Sequence, residues 1–265
     1  MMTNILHNAD CLEILKQMPD NSIDLTVTSP PYDNLRTYKN SLVWNTEIWK
    51  QVIKQLFEVT KQGGVVVWIV ADATINGSET GTSFKQALFA KECGFNLHDT
   101  MIYHRLGLPL THRRYEQHFE YMFVFSKGKP KTFNPLLKDN KCFGSKKKCM
   151  TEETKLTRDK NSLASSSKSF IIKKQSYLGN IWKYSVGYMQ TTKDKIAFKH
   201  PAIFPDQLAV DHIKTWSNEN DIVLDPFMGS GTAGVAAKNL NRSFIGIECE
   251  PEYFEIAKAR IKNAK

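Results

Sequence analysis

The sequence predicts an α/β domain, a mostly parallel sheet with helices on both faces, interrupted by a basic insertion. Three observations predict it. Short β-rich apolar runs alternate with amphipathic helical stretches, the pattern of parallel strands joined by crossover helices. A glycine-rich turn sits between a strand and a helix late in the chain. The 265 residues, 41% of them hydrophobic, suit one such domain with an insertion and exclude a chain disordered throughout.

Residues 22–27 read as a strand that runs straight into Thr28-Ser29-Pro30-Pro31-Tyr32. Ile48, Val52, Ile53 and Leu56 then recur at helical spacing, with Asn45 or Thr46 as cap, and Gly63-Gly64 is expected to end that helix. The unbroken apolar run 65–70 predicts a strand covered on both faces. Residues 84–93 look helical and are closed by Gly94, while 121–125 form a strand stopped by Gly128 and Pro130. From Phe133 to about Lys195 the chain is rich in Lys and Ser and poor in periodic apolar residues, which predicts a separate, partly mobile module. Regular structure resumes at 204–208, where Pro205 suits the first turn of a helix. A strand (222–224), a helix (232–240), a strand (244–247) and a final helix (251–261) follow. The expected division is therefore 1–132 and 196–265 as two halves of one domain, with 133–195 inserted between them.

Composition narrows the class. Lys+Arg 36 against Asp+Glu 27 gives a net charge of +9, which permits a polyanionic partner without requiring one. The cysteines (Cys11, Cys93, Cys142, Cys149, Cys249) are odd in number and form no CxxC pair. Neither a disulfide framework nor a metal site is expected, and a reduced cytoplasmic setting follows. No apolar run approaches a membrane span, and the early acid at Asp10 without a basic leader argues against a secretory signal.

Two segments carry chemistry. Asp225-Pro226-Phe227-Met228-Gly229-Ser230-Gly231-Thr232 lies between a strand and a helix, and with Gly234 it satisfies G-x-G-x-x-G, while the acid Glu248 ends the next strand. Such glycines let a ligand approach the backbone closely, and the acid can accept hydrogen bonds from a ribose. A carboxylate at the strand exit would repel a pyrophosphate, so Asp225 disfavours a nicotinamide cofactor and favours a ligand bearing an ammonium and a sulfonium. The alternative is a tight turn of structural glycines. In Ser29-Pro30-Pro31-Tyr32, paired prolines hold the backbone extended and remove two amide donors. Ser29 and the Pro30 carbonyl can then accept from an amino group, and Tyr32 offers a stacking face. Alone, this segment also reads as a proline-stiffened turn.

Together these segments resemble the DNA amino-methyltransferases, which methylate N6 of adenine or N4 of cytosine. The resemblance is to the subgroup with the catalytic motif first and the cofactor glycines last, and it covers nearly the whole chain. Residues 8–13, 65–70, 118–127, 200–205 and 244–248 support it. It implies a Rossmann-like S-adenosylmethionine-dependent methyltransferase fold. Residues 1–132 would be the catalytic half, 133–195 the target-recognition insertion and 196–265 the cofactor half. Asp225, Pro226, Phe227, Gly229, Ser230, Gly231 and Thr232 would hold the methionine end of S-adenosylmethionine. Glu248, with Cys249 beside it, would bind the ribose hydroxyls, and Asp10, with Cys11, the adenine. His200, Pro201, Phe204 and Pro205 would close the methionine side. Phe204 also reads as helix packing, Cys249 as a small core residue and His200 as a capping histidine.

The resemblance further implies catalysis by Ser29, Pro30, Pro31 and Tyr32 on a flipped-out base, by direct in-line transfer without a covalent intermediate. Members with Ser at the Ser29 position mostly methylate cytosine, so N4 of cytosine is the expected target and adenine N6 the alternative. Double-stranded DNA is the implied partner, and a homodimer and a cognate restriction endonuclease are compatible with it. Arg105, His112, Arg113, Arg114 and Tyr115 suit phosphates or the gap left by a flipped base, or form a solvated charged loop. Lys146, Lys147 and Lys148 suit backbone contacts in the insertion. The rival classes are a non-catalytic DNA-binding module and an NAD-dependent oxidoreductase resting on the glycines alone.

Overall fold

The computed structural model describes residues 4–33, 44–105, 115–150 and 167–264, and these form two compact units. The larger holds residues 1–134 and 180–265 and the smaller 135–179. In the larger unit the order is β1 (Asn4–Asn8), α1 (Cys11–Leu15), β2 (Ile23–Thr28), α2 (Thr46–Val59), β3 (Thr60–Val70), α3 (Thr82–Glu92), β4 (Asn96–His104) and β5 (Phe119–Ser126). After the smaller unit come β6 (Ile181–Lys183), α4 (Asp206–Trp216), β7 (Ile222–Asp225), α5 (Thr232–Asn239), β8 (Ser243–Glu248) and α6 (Pro251–Asn263).

The eight strands make one sheet in the order β1-β8-β7-β2-β3-β5-β4-β6. All neighbours are parallel except at β5, which runs against both β3 and β4. This is the largely parallel sheet read from the sequence. Its centre is dry: Val65 to Val70 are all buried, as expected of a strand covered on both faces. Helix α2 starts where expected, the Asn45 side chain accepting from the Ile48 amide at 3.0 Å. Trp49, Val52, Ile53, Leu56 and Val59 form its buried face.

Two boundaries differ from the sequence reading. Gly63-Gly64 does not end α2, which stops at Val59, where the Thr60 hydroxyl bonds back to the Leu56 carbonyl at 2.5 Å. The glycines lie inside β3. Gly63 adopts φ +81° there, and a Cβ would meet Lys131 Cβ at 2.9 Å, so the position admits only glycine. The smaller unit is also shorter than 133–195. Residues 180–195 belong to the larger one, β6 pairing with β4 and Trp182 packing its ring 4.7 Å from His212. Within 135–179 the chain forms two antiparallel pairs, Leu137–Asp139 with Gln175–Tyr177 and Lys146–Met150 with Ser167–Ile171. Among the described residues no helix is long and apolar enough to cross a membrane.

Candidate active site

Strands β2 and β7 lie far apart in sequence but are neighbours in the sheet, with Val223 opposite Leu25 and Leu224 opposite Thr26. Their C-terminal ends therefore open on one rim, where the strand order reverses and ligands of parallel α/β sheets collect. A buried hydrogen bond of 2.7 Å from the Thr28 hydroxyl to Asp225 Oδ1 ties the two ends together. The proline corner leaves from one strand end and the glycine turn from the other, and both line a single cavity of about 310 Å³.

The glycine turn is built to be approached closely. Gly229 sits at φ +47°, and a Cβ there would lie 3.0 Å from the His200 ring. His200 is itself buried, accepts from the Ala202 amide through Nδ1 at 3.1 Å, and crosses Tyr253 edge-on at 4.3 Å. Gly231 (φ +79°) and Gly234 let α6 close on the turn: a Cβ on either would meet Ala257 or Ile261 within 3 Å. Beneath the turn lies Arg260, buried on α6. It donates to the Ser230 carbonyl (2.6 Å) and hydroxyl (3.0 Å) and to the Thr232 hydroxyl (3.3 Å), and pairs with Asp194 at 2.8 Å and Asp206 at 3.5 Å.

At the proline corner, Ser29 Oγ lies 2.8 Å from the Tyr32 hydroxyl, which donates to Glu120 Oε2 at 2.8 Å. Arg105 Nε stands 2.9 Å from Glu120 Oε1, an ion pair by distance although the N–H is not aligned on it. Glu120 opens β5 and Arg105 follows β4, and the register of these antiparallel strands, Tyr103 opposite Glu120, brings the two to the same rim.

The cavity is anionic. Among the described residues, Asp10, Glu120, Glu248 and Glu250 line it against one arginine, Arg105, which is paired. Glu248 accepts the Gly229 amide through Oε2 and the Glu250 amide through Oε1, both at 2.9 Å, and burial raises its pKa. Asp10 caps α1 by accepting from the Leu12 amide at 2.7 Å. A pyrophosphate would meet acids here rather than free cations. A nucleoside carrying positive charge fits: acids for its hydroxyls and amines, and the apolar Phe204, Phe227 and Ile247 for its ring. Burial lifts the Cys11 and Cys249 thiols above their ordinary range, Cys249 to about 11, so both sit in the wall as neutral groups. Among the described residues no three metal-ligating side chains converge.

Of the residues singled out from the sequence, Asp10, Cys11, Ser29, Pro30, Pro31, Tyr32, His200, Phe204, Pro226, Phe227, Gly229, Ser230, Thr232, Glu248 and Cys249 meet at this cavity. Pro201, Pro205, Asp225 and Gly231 do not line it. Pro205 is the cap of α4. Asp225 departs most from expectation, because its carboxyl turns into the sheet towards Thr28 and the Phe227 amide, and its Oδ2 has no partner among the described residues. Burial is the main cause that pushes its pKa up to about 7. Of the acids singled out from the sequence, Asp10 and Glu248 line the cavity and Asp225 does not. Arg105, read as a DNA contact, is engaged by Glu120 in the cavity wall. His112, Arg113 and Arg114 lie outside the described residues, and Tyr115 is fully exposed. Lys146 and Lys147 are exposed in the smaller unit, where Lys148 pairs with Ser169. Sequence reasoning missed Glu120 and Arg260. The signal for Arg260 was a cation on the same helical face as Tyr253, Ala257 and Ile261.

Comparison with known proteins converges on the same chemistry. Residues 23–259 match the family model described as DNA methylase, of the N6/N4 type. The chain is 52% identical over 246 residues to the orphan methyltransferase M.BamHII of Bacillus amyloliquefaciens, covering 92% of this chain and 90% of that protein. Among solved structures it resembles the M1.HpyAVI–SAM complex (27% identity, TM-score 0.63, 98% of this chain and 99% of that one). It shares its fold with the cytosine-N4-specific PvuII DNA methyltransferase (21% identity, TM-score 0.71, 98% and 87% covered). A chain that matches this family model over most of its length, and whose proline corner and glycine turn line one acid-lined cavity, belongs to the N6/N4 DNA methylase family, the S-adenosylmethionine-dependent amino-methyltransferases of DNA.

Proposed function

We propose that this DNA methyltransferase modifies the exocyclic N4 amino group of cytosine within a short duplex recognition sequence. The observation that carries the reading is the hydroxyl of Ser29, at the head of Ser29-Pro30-Pro31-Tyr32, in the wall of the cavity that Gly229 and Glu248 also line. Bound S-adenosylmethionine supplies an electrophilic methyl group on a sulfonium. Asp10 and Glu248 hold its nucleoside end, and the turn from Pro226 to Thr232 receives the rest, with His200 and Phe204 closing that side. An exocyclic amine is a weak nucleophile because its lone pair is delocalised into the ring. Acceptance of its two N–H protons by the Ser29 hydroxyl and the Pro30 carbonyl draws the nitrogen towards tetrahedral geometry and frees the lone pair. Pro31 stiffens that corner. Because the amine is paired within a duplex, the base must leave the stack, and the Tyr32 ring is its platform.

Lys146 and Lys147 fit backbone phosphates, with Lys148, Arg113, Arg114, His112 and Tyr115 as further contacts. A homodimer and a paired endonuclease suit the same reading. Digestion of methylated duplex DNA to nucleosides tests the target: N4-methylcytosine is expected, and N6-methyladenine as the sole product refutes the assignment.

A further inference from the structure

We propose that Glu120, braced by Arg105, is the positioning residue that sets the direction of the hydrogen bonds at the catalytic corner, so that Ser29 presents its lone pairs to the target amine. The inference rests on the amine-methylation reading and adds residues to it.

The logic is one of donors and acceptors. A carboxylate only accepts, so across the 2.8 Å contact the Tyr32 hydroxyl must donate to Glu120. Tyr32 has a single O–H proton. Across the 2.8 Å contact with Ser29 it can therefore only accept, and the Ser29 hydroxyl must donate to it. With its one proton committed inwards, Ser29 Oγ faces the cavity as an acceptor. An exocyclic amino group offers two donors, and an acceptor at Ser29 beside the Pro30 carbonyl is the complement it needs. Reversing the chain would aim a hydroxyl proton at an N–H. Arg105 matters because its guanidinium stands as a counter-charge 2.9 Å from the other carboxylate oxygen, Oε1, while Oε2 is the oxygen that meets Tyr32.

Glu120→Gln inverts this relay without changing its shape. The amide oxygen stays with Arg105, the NH2 group turns to Tyr32, Tyr32 then donates to Ser29, and the Ser29 proton points into the cavity. Glu120→Asp shortens the side chain but keeps a group that only accepts.

The test is single-turnover methyl transfer to a duplex the wild-type enzyme methylates, with S-adenosylmethionine affinity measured in parallel. Glu120→Gln is expected to slow transfer by about 10- to 100-fold while cofactor affinity stays unchanged. Glu120→Asp should retain more rate than the isosteric Gln variant. In a Tyr32→Phe background, where no hydroxyl relays the signal, Glu120→Gln should cost nothing further. A Gln variant faster than the Asp variant, or an equal loss with and without the Tyr32 hydroxyl, means that Glu120 only fills space and overturns the proposal. A wild-type enzyme that methylates no amino group overturns the functional reading itself, and the relay with it.

Discussion

Asp225→Asn should remove a pH dependence of folding that the structure assigns to one buried carboxyl. Asp225 is 1% exposed, its Oδ1 holds the Thr28 hydroxyl and the Phe227 amide, and burial outweighs both bonds to raise its pKa from the ordinary 3.8 to about 7. The unfolded chain keeps the ordinary value, so between pH 4 and 7 the native state binds a proton that the unfolded state has lost. Stability from this group is therefore complete below pH 4 and is lost as the pH rises through 7. Each unit is worth about 1.4 kcal/mol, which gives a total on the order of 4 kcal/mol, of which about 3 kcal/mol falls between pH 5 and 8. Asparagine has no proton to lose. Urea unfolding of the unliganded protein at pH 5, 6, 7 and 8 gives the stability difference, wild type minus variant, in which other titrations cancel. That difference should fall by about 3 kcal/mol and level off above pH 7. A difference that stays constant with pH would show that the carboxyl is ionised throughout, and the electrostatic account of the rim would be wrong.

Gly229→Ala places a Cβ 3.0 Å from the His200 ring at a φ of +47°, at a strain of about 1–2 kcal/mol; calorimetry should show S-adenosylmethionine binding roughly tenfold weaker, and an unchanged affinity would remove Gly229 from the cofactor turn. Arg260→Met leaves the Ser230 carbonyl without its buried donor and takes the counter-charge from Asp194 and Asp206. Those acids are 37% and 40% exposed and can rehydrate, so the expected loss is about 2–3 kcal/mol by urea unfolding, accompanied by weaker cofactor binding.

The sequence revealed most where periodicity was strong and local. The stripe of Val52, Ile53 and Leu56 defined α2, and the unbroken valines of β3 marked a strand buried on both faces. Strand β4 escaped because Asn96, His98 and Thr100 alternate with half-buried neighbours, so no apolar run announces it. Strand β6 escaped because three residues carry no period, and because Ile181-Trp182-Lys183 directly follows the polar segment, which drew the insertion's boundary too far. Gly63-Gly64 misled for a different reason: a glycine pair that usually closes a helix here lets the Lys127–Lys131 turn cross the backbone of β3. The charge state of Asp225 is likewise invisible in a sequence, since it depends on how deeply the next loop buries the strand end.

The rim of the sheet shows both the reach and the limit of topological reasoning. The rule that ligands gather at the C-terminal ends of parallel strands finds Ser29 after β2, Pro226 and Phe227 after β7, Cys249 after β8 and Ala9 after β1, because all these strands point the same way. It cannot find Glu120. Strand β5 alone runs in the opposite sense, so its first residues, not its last, reach the rim. A residue at the start of a strand is ordinarily assigned to the far side of such a sheet. Here one reversed strand delivers a carboxylate to the Tyr32 hydroxyl. Orientation of a single strand thus decides which acid the proline corner obtains, and motif order alone carries no record of it.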